Sequence, residues 1–265
     1  MIATAKQDRP PGQPAQETAQ ETAQETAQET ATPMGAMEGG GYTGPPVRAP
    51  GISGPPAPHV GGEPATRGRI RAAARLLFEQ NGYTKTSVGE IAEACAMSPA
   101  NLYRHYRNKQ AIGQAVIHDF VAEQAAEVQA ALDAPAATAE ARLRATLTAQ
   151  IFFGVRHLRE APRLVELADM IFASEDGLSL ITRMEQEDHA MKAALVEAGV
   201  AAGEFTLEGA FSDRDAAARA MKNCLLFFNS PFGLVRRGLA TVETDVALAL
   251  DLICAGLKQG ASRPA

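Results

Sequence analysis

The chain has no tryptophan, only three cysteines among 265 residues, and 5% aromatic residues. Cys95, Cys224 and Cys254 stand far apart and no CxxC occurs, so neither a disulfide framework nor a cysteine zinc site is expected, and a reducing cytoplasm is the expected compartment. No run approaches the ~18 apolar residues of a membrane span. The opening MIATAKQDRPPGQ lacks an apolar core, which argues against a cleaved signal peptide. Period-2 strand patterns are missing, as are GxSxG, P-loop, HExxH and a GxGxxG at a strand–helix junction. An enzyme is therefore not expected, and neither a cofactor nor a metal.

Residues 1–63 read as a disordered low-complexity tail. QETA repeats four times from Gln16 to Ala31, and a Gly/Pro-rich stretch follows. With almost no large apolar side chains, such a segment cannot offset its chain entropy. Met34 and Met37 are alternative starts that would leave the repeat untranslated.

The net charge of −6 conceals an island of opposite sign. Residues 65–110 carry eight Lys/Arg against three Asp/Glu, while residues 111–265 carry fourteen against twenty-one. A basic island inside an acidic protein points to an anionic polymer as partner.

From Thr66 onward the apolar spacing is that of helices, giving an all-α chain of nine. The first is expected over 67–81, with Thr66 as N-cap, Ile70, Ala73, Ala74, Leu77 and Phe78 on one stripe, and Asn81-Gly82 as the stop. Ser87-x-x-Glu90 is a capping box that opens a second. Ser98 caps a third, with Pro99 at its first position, and Leu102 and Tyr106 facing inward. Asn108 caps a long fourth helix over 109–132. Further helices are expected over 138–160, 162–174, 177–198, 213–229 and 242–258.

Two short helices joined by a tight turn and packed on a longer one form a helix-turn-helix, whose second helix enters the major groove of duplex DNA. The candidate reading surface is Ser98, Pro99, Ala100, Asn101, Leu102, Tyr103, Arg104, His105 and Tyr106. Tyr103, Arg104 and His105 point outward, and Arg107 and Lys109 follow as donors to phosphate oxygens. Arg67, Arg69, Arg71 and Arg75 form a second basic arm, and Thr86, Ser87 and Lys85 face the opposite backbone. Four to six phosphates per subunit is the rough expectation, with steep salt dependence.

At RIRAAARLLFEQNGYTKTSVGEIAEA and MSPANLYRHYRNKQAI the sequence resembles the tetracycline-repressor (TetR) family of bacterial transcription regulators, over about residues 64–124. The resemblance implies that Ser98 to Tyr106 is the recognition helix and that Tyr103 and Lys109 grip phosphate. The chain departs at Ala96, where the family usually has glycine. A positive φ there would cost about 1 kcal/mol.

The resemblance also implies that 64–124 is a DNA-binding domain and 125–265 a helical effector-binding and dimerisation domain. Amphipathic stripes in the last two helices make Met221, Leu225, Phe228, Leu250, Ile253 and Leu257 candidates for a four-helix dimer seam, or for the chain's own core. An effector pocket is implied among Phe152, Phe153, Met170 and Met184. Glu185, Asp188 and His189 share one helical face, a spacing that metal sites and solvated acidic faces both produce. The three cysteines read as buried, inert thiols. The expected protein is a homodimeric repressor on a pseudo-palindromic operator, released by a small molecule that tilts the fourth helix. A second reading is a DNA-binding activator or architectural factor without ligand.

Overall fold

The computed structural model describes residues 64–208, 211–230, 233–235 and 239–259. The QETA tail lies outside the described residues. Nine helices and no strand are found among those described. They are α1 (Pro64–Asn81), α2 (Val88–Ala94), α3 (Pro99–Tyr103), α4 (Lys109–Asp133), α5 (Ala139–Glu160), α6 (Leu164–Phe172), α7 (Glu175–Ala201), α8 (Arg214–Leu225) and α9 (Val242–Gln259).

Most boundaries follow from local chemistry. Ser87, Ser98, Asn108, Thr138, Ser174 and Asp213 each accept an amide of the first turn they cap. Several boundaries differ from the sequence expectation: α8 stops at Leu225 rather than 229, and α6 spans Leu164–Phe172 rather than 162–174. Thr66 lies inside α1, which begins at Pro64, a residue suited to a first turn. α7 starts at Glu175, because Ser174 caps it by accepting from Gly177. α7 also runs through Gly199 to Ala201. Gly199 is there for packing: the Phe205 ring occupies the space a Cβ would need. The turn is made instead by Gly203, at φ +71°.

Two apolar clusters organise the chain. One joins α1–α3 to the first half of α4, to α6 and to Leu180 of α7. The other joins the C-terminal half of α4 to α5, the later part of α7, α8 and α9. Along α4 the clusters change over between Val121 and Val128, but α4 is continuous there and α6 also packs into the head's core. Gly113 on α4 makes this possible: a Cβ there would meet Leu167 at 2.9 Å and Tyr83 at 3.1 Å.

The stripes expected to form a dimer seam serve the second cluster instead. Met221, Leu225, Phe228, Leu250, Ile253 and Leu257 are all buried within the single chain. α8 packs on α7, and α9 on α8 and α5, so these faces satisfy their own subunit first.

Candidate nucleic-acid interface and the cavity behind it

α2 and α3 are placed by capping and one strained turn. Ser87 and Glu90 complete the capping box: the Ser87 amide donates to Glu90 Oε2 at 2.6 Å and the Glu90 amide to Ser87 Oγ at 3.1 Å. These bonds hold the Glu90 carboxyl below its ordinary range. The chain then turns through Ala96 at φ +52°, the one non-glycine positive φ among the described residues. Met97 N bonds back to Ala92 O at 2.9 Å, closing the turn.

α3 is a single short helix seated by Leu102, with Tyr106 buried just past its end. Leu102 and Tyr106 therefore belong to the core of the recognition segment and offer no surface to DNA. Ser98, Pro99, Ala100, Asn101, Tyr103 and Arg104 stand exposed, with Arg107 beyond. Tyr103 is 51% exposed. Among the described residues, neither Tyr103 nor Arg104 makes a side-chain hydrogen bond or ion pair to its own chain. His105 is half-buried and its Nδ1 has no partner.

Lys85 is also exposed, but most of the other expected cations are spent inside the protein. Arg67 donates to His105 O at 2.6 Å and lies over the Tyr106 ring. Arg69 donates to Cys95 O at 2.8 Å, bracing the turn. Arg71 pairs with Asp119 on α4 at 2.6 Å. Lys109 Nζ donates to the carbonyls of Tyr83, Thr84 and Thr86 and sits over the Tyr83 ring. Lys109 thus closes the α1–α2 loop. Thr86 is buried, and its hydroxyl donates to Gly82 O at 2.9 Å, so it is no phosphate ligand. Ser87 is exposed but its Oγ is occupied by the cap. Arg67, Arg69 and Lys109 share one reason: a domain this small has few carbonyls it can leave unsatisfied, and long cations reach them.

Arg75 has a further place that its sequence position did not reveal. It pairs with Glu79 at 3.0 Å and with Glu123 of α4 at 2.5 Å. Its guanidinium lies 4.2 Å from the Phe120 ring centroid, and Nη2 is 3.5 Å from His157 Nε2 on α5. Phe120, Phe153 and His157 form one ring cluster. Glu166 of α6 is a second unanticipated link. It accepts from the Thr84 amide at 2.8 Å, and that bond keeps its carboxyl below the ordinary range. With 82 residues between donor and acceptor, no local pattern announces it.

Behind these contacts lies a cavity in two lobes of about 350 and 190 Å³, which share Val121, Gln124, Gln150, Ala168, Phe172 and Met184. Such volumes suit a small ligand. Phe153 and Met184 line it as expected. Phe152 and Met170 do not. Phe152 packs against the α8–α9 cluster and borders a separate depression, and Met170 is 53% exposed on the outer side of α6. Both lie on helices that reach the cavity, but helical phase turns them away.

One wall holds a buried lysine. Lys192 is fully buried; its ammonium pairs with Asp188 and lies 3.4 Å from Gln150 Oε1. Burial pushes its pKa down while Asp188 opposes the shift. Gln150 Nε2 also donates to Asp188 at 2.7 Å. Glu185 pairs with Lys222, and His189 with Asp215 at 3.1 Å, so the acidic triplet on α7 is divided among three partners. The thiols also divide. Cys95 and Cys254 are buried, with Cys254 pushed up to about 11 by burial, but Cys224 is exposed, contrary to expectation. It faces out because the buried stripe of α8 runs through Met221 and Leu225 instead.

This all-helical architecture, with a capped helix-turn-helix on a cavity-bearing core, is similar to that of solved transcription regulators. Residues 70–116 match the family described as bacterial regulatory proteins, tetR family. The HTH-type transcriptional regulator UidR of Escherichia coli (strain K12) is 46% identical over 52 residues, which is 20% of this chain. The chain spans about a quarter (26%) of that relative's length. A tetR-family regulatory protein from Rhodococcus RHA1 is 26% identical, with a TM-score of 0.50 over 72% of this chain and 98% of the other. A transcriptional regulator from Cytophaga hutchinsonii shares the fold at 16% identity, with a TM-score of 0.58 over 72% of this chain and 97% of the other. Over residues 70–116 the chain thus matches the TetR family of regulators, and its described helices share the fold of such proteins. No helix among the described residues is long and apolar enough to cross a membrane.

Proposed function

We propose that the protein is a cytoplasmic, homodimeric repressor that acts by binding. Its two heads occupy successive major grooves of a pseudo-palindromic operator, and a small molecule in the cavity releases it. The observation that carries the reading is the outward face of α3. Tyr103 and Arg104 are exposed and unspent, while Arg67, Arg69, Arg71, Arg75 and Lys109 are committed to the chain itself. Donors held ready on a helix seated by Leu102 and Tyr106 are what a major-groove reader needs.

Dimerisation falls to an apolar set other than the one first expected. Phe227, just past the end of α8, and Leu248 and Leu252 on α9 are 60%, 61% and 69% exposed, and a second copy would cover them. Release has two physical routes from cavity to head. α6 lines the cavity with Ala168 and Phe172 and holds the head through Glu166. Phe120 and His157 line it and seat Arg75 of α1. A ligand that shifts either wall changes the separation of two heads that must match a spacing of about 34–36 Å.

The test is a gel shift with the DNA upstream of the gene. Wild type gives a palindromic footprint, while Tyr103→Ala and Arg104→Ala stay folded and dimeric but bind at least tenfold more weakly, as lost phosphate or base contacts should. Wild-type affinity in either variant refutes the assignment of α3. Sedimentation of Leu252→Glu tests the seam, with a monomer expected. A footprint that no metabolite relieves would favour the ligand-free activator or architectural reading.

A further inference from the structure

The two lobes of the cavity differ in chemistry, and the difference points to a ligand class. The apolar lobe is walled by Ile117, Phe120, Phe153, Leu158, Leu164 and Val165, with no acidic or basic side chain apart from His157. His157 is occupied there: its Nδ1 is 2.9 Å from Phe153 O and its Nε2 faces Arg75. The charged lobe carries Asp169, Glu185, Glu187, Asp188 and Lys222.

The charges of this second lobe do not cancel. Lys222 answers Glu185 at 3.1 Å, and the buried Lys192 answers Asp188 from behind the wall. Glu187 and Asp169 are left without a cation. Glu187 Oε2 is shut off from solvent and has no hydrogen-bond partner. Arg183, one turn earlier on α7, does not supply one. It lines a different crevice with His118 and Gln114, and its own Nε has no partner. Glu187 is half-buried, so this lobe presents a carboxylate with an unpartnered oxygen and no cation beside it.

We propose that the cavity takes an amphipathic cation, with an apolar body in the Phe120–Phe153 lobe and one ammonium or amidinium head donating to Glu187. Gln124 and Asn229 at the junction of the lobes supply neutral acceptors for its remaining N–H groups. An anionic head in the same place would meet two uncompensated carboxylates. A neutral head would relieve the orphaned oxygen without gaining a charge-assisted bond. The inference rests on the cavity being the effector site.

The test is calorimetric titration of the full-length protein with three probes of equal chain length: octylammonium, 1-octanol and octanoate. Octylammonium binds at least tenfold more tightly than octanoate, the equivalent of one charge-assisted hydrogen bond gained. Glu187→Gln removes most of that preference and leaves operator affinity unchanged. Octanoate or octanol binding as tightly as octylammonium overturns the charge assignment. If octanoate also releases the operator, the effector reading survives while the cation reading falls. If no probe binds, both fall. Because the wild-type series alone ranks the three heads, the outcome stands even if Glu187→Gln fails to fold.

Discussion

Replacing Lys192 by methionine isolates the cost of one unpaired buried charge. The lysine side chain is 0% exposed and its partner Asp188 14%. At an effective dielectric of ~20, a pair at ~4 Å is worth about 4 kcal/mol. Removing one member of a buried pair typically costs about 3–5 kcal/mol, because the survivor keeps its desolvation penalty. Asp188 retains the Gln150 amide and borders the cavity, so the lower end applies, about 3 kcal/mol. For a folded region of this size that lowers the Tm by roughly 6–12 °C. The double variant Lys192→Met/Asp188→Leu removes the orphan and recovers stability to within about 1–2 kcal/mol of wild type. Urea and thermal unfolding of the four proteins in the cycle read these values. A Lys192→Met protein as stable as wild type, or a double variant no better than the single, would refute the argument that charge pairing rather than packing fixes this wall.

Three further outcomes follow from the head. Ala96→Gly relieves the φ of +52° and raises the Tm by about 2–4 °C, the equivalent of about 1 kcal/mol, in a thermal melt; an unchanged or lower Tm would show that the turn carries no strain. Operator affinity should fall with salt at a log–log slope of about −5 for the dimer, because only Lys85, Arg104 and Arg107 of each head carry an exposed, uncommitted cation. A slope near −10 would mean that the helix-1 arginines leave their internal partners on binding. Glu166 is held below the ordinary glutamate value of 4.5 by the Thr84 bond, so its contribution is present above that value and is lost as pH falls through the folded one. Stability profiles between neutral pH and 3 should therefore fall more steeply for wild type than for Glu166→Gln, and parallel profiles would dismiss the latch.

How far the sequence reaches depends on the range of the interaction. The helices on either side of the turn were legible because their signals are local: Ser87 with Glu90, Ser98 with Pro99, Asn108 before Lys109, each within one turn of backbone. Inward positions such as Leu102 and Tyr106 were equally plain from period 3.6. What periodicity cannot say is which surface covers an apolar stripe. The α8 and α9 stripes suited a second subunit or the chain's own core, and the structure assigns them to the core.

Charge behaves the same way. The basic island over residues 65–110 is a property of composition, but whether a given arginine meets phosphate or a carbonyl depends on what stands opposite it. Arg71 meets Asp119, Arg69 meets Cys95 O and Lys109 meets the 83–86 loop, all across more than twenty residues of chain. Thus short-range chemistry alone determined the helix-turn-helix and the outward face of its second helix. Which cations stay free, where the cavity lies and how it touches the head were decided by tertiary packing, because each rests on contacts between segments that sequence separation leaves uncorrelated.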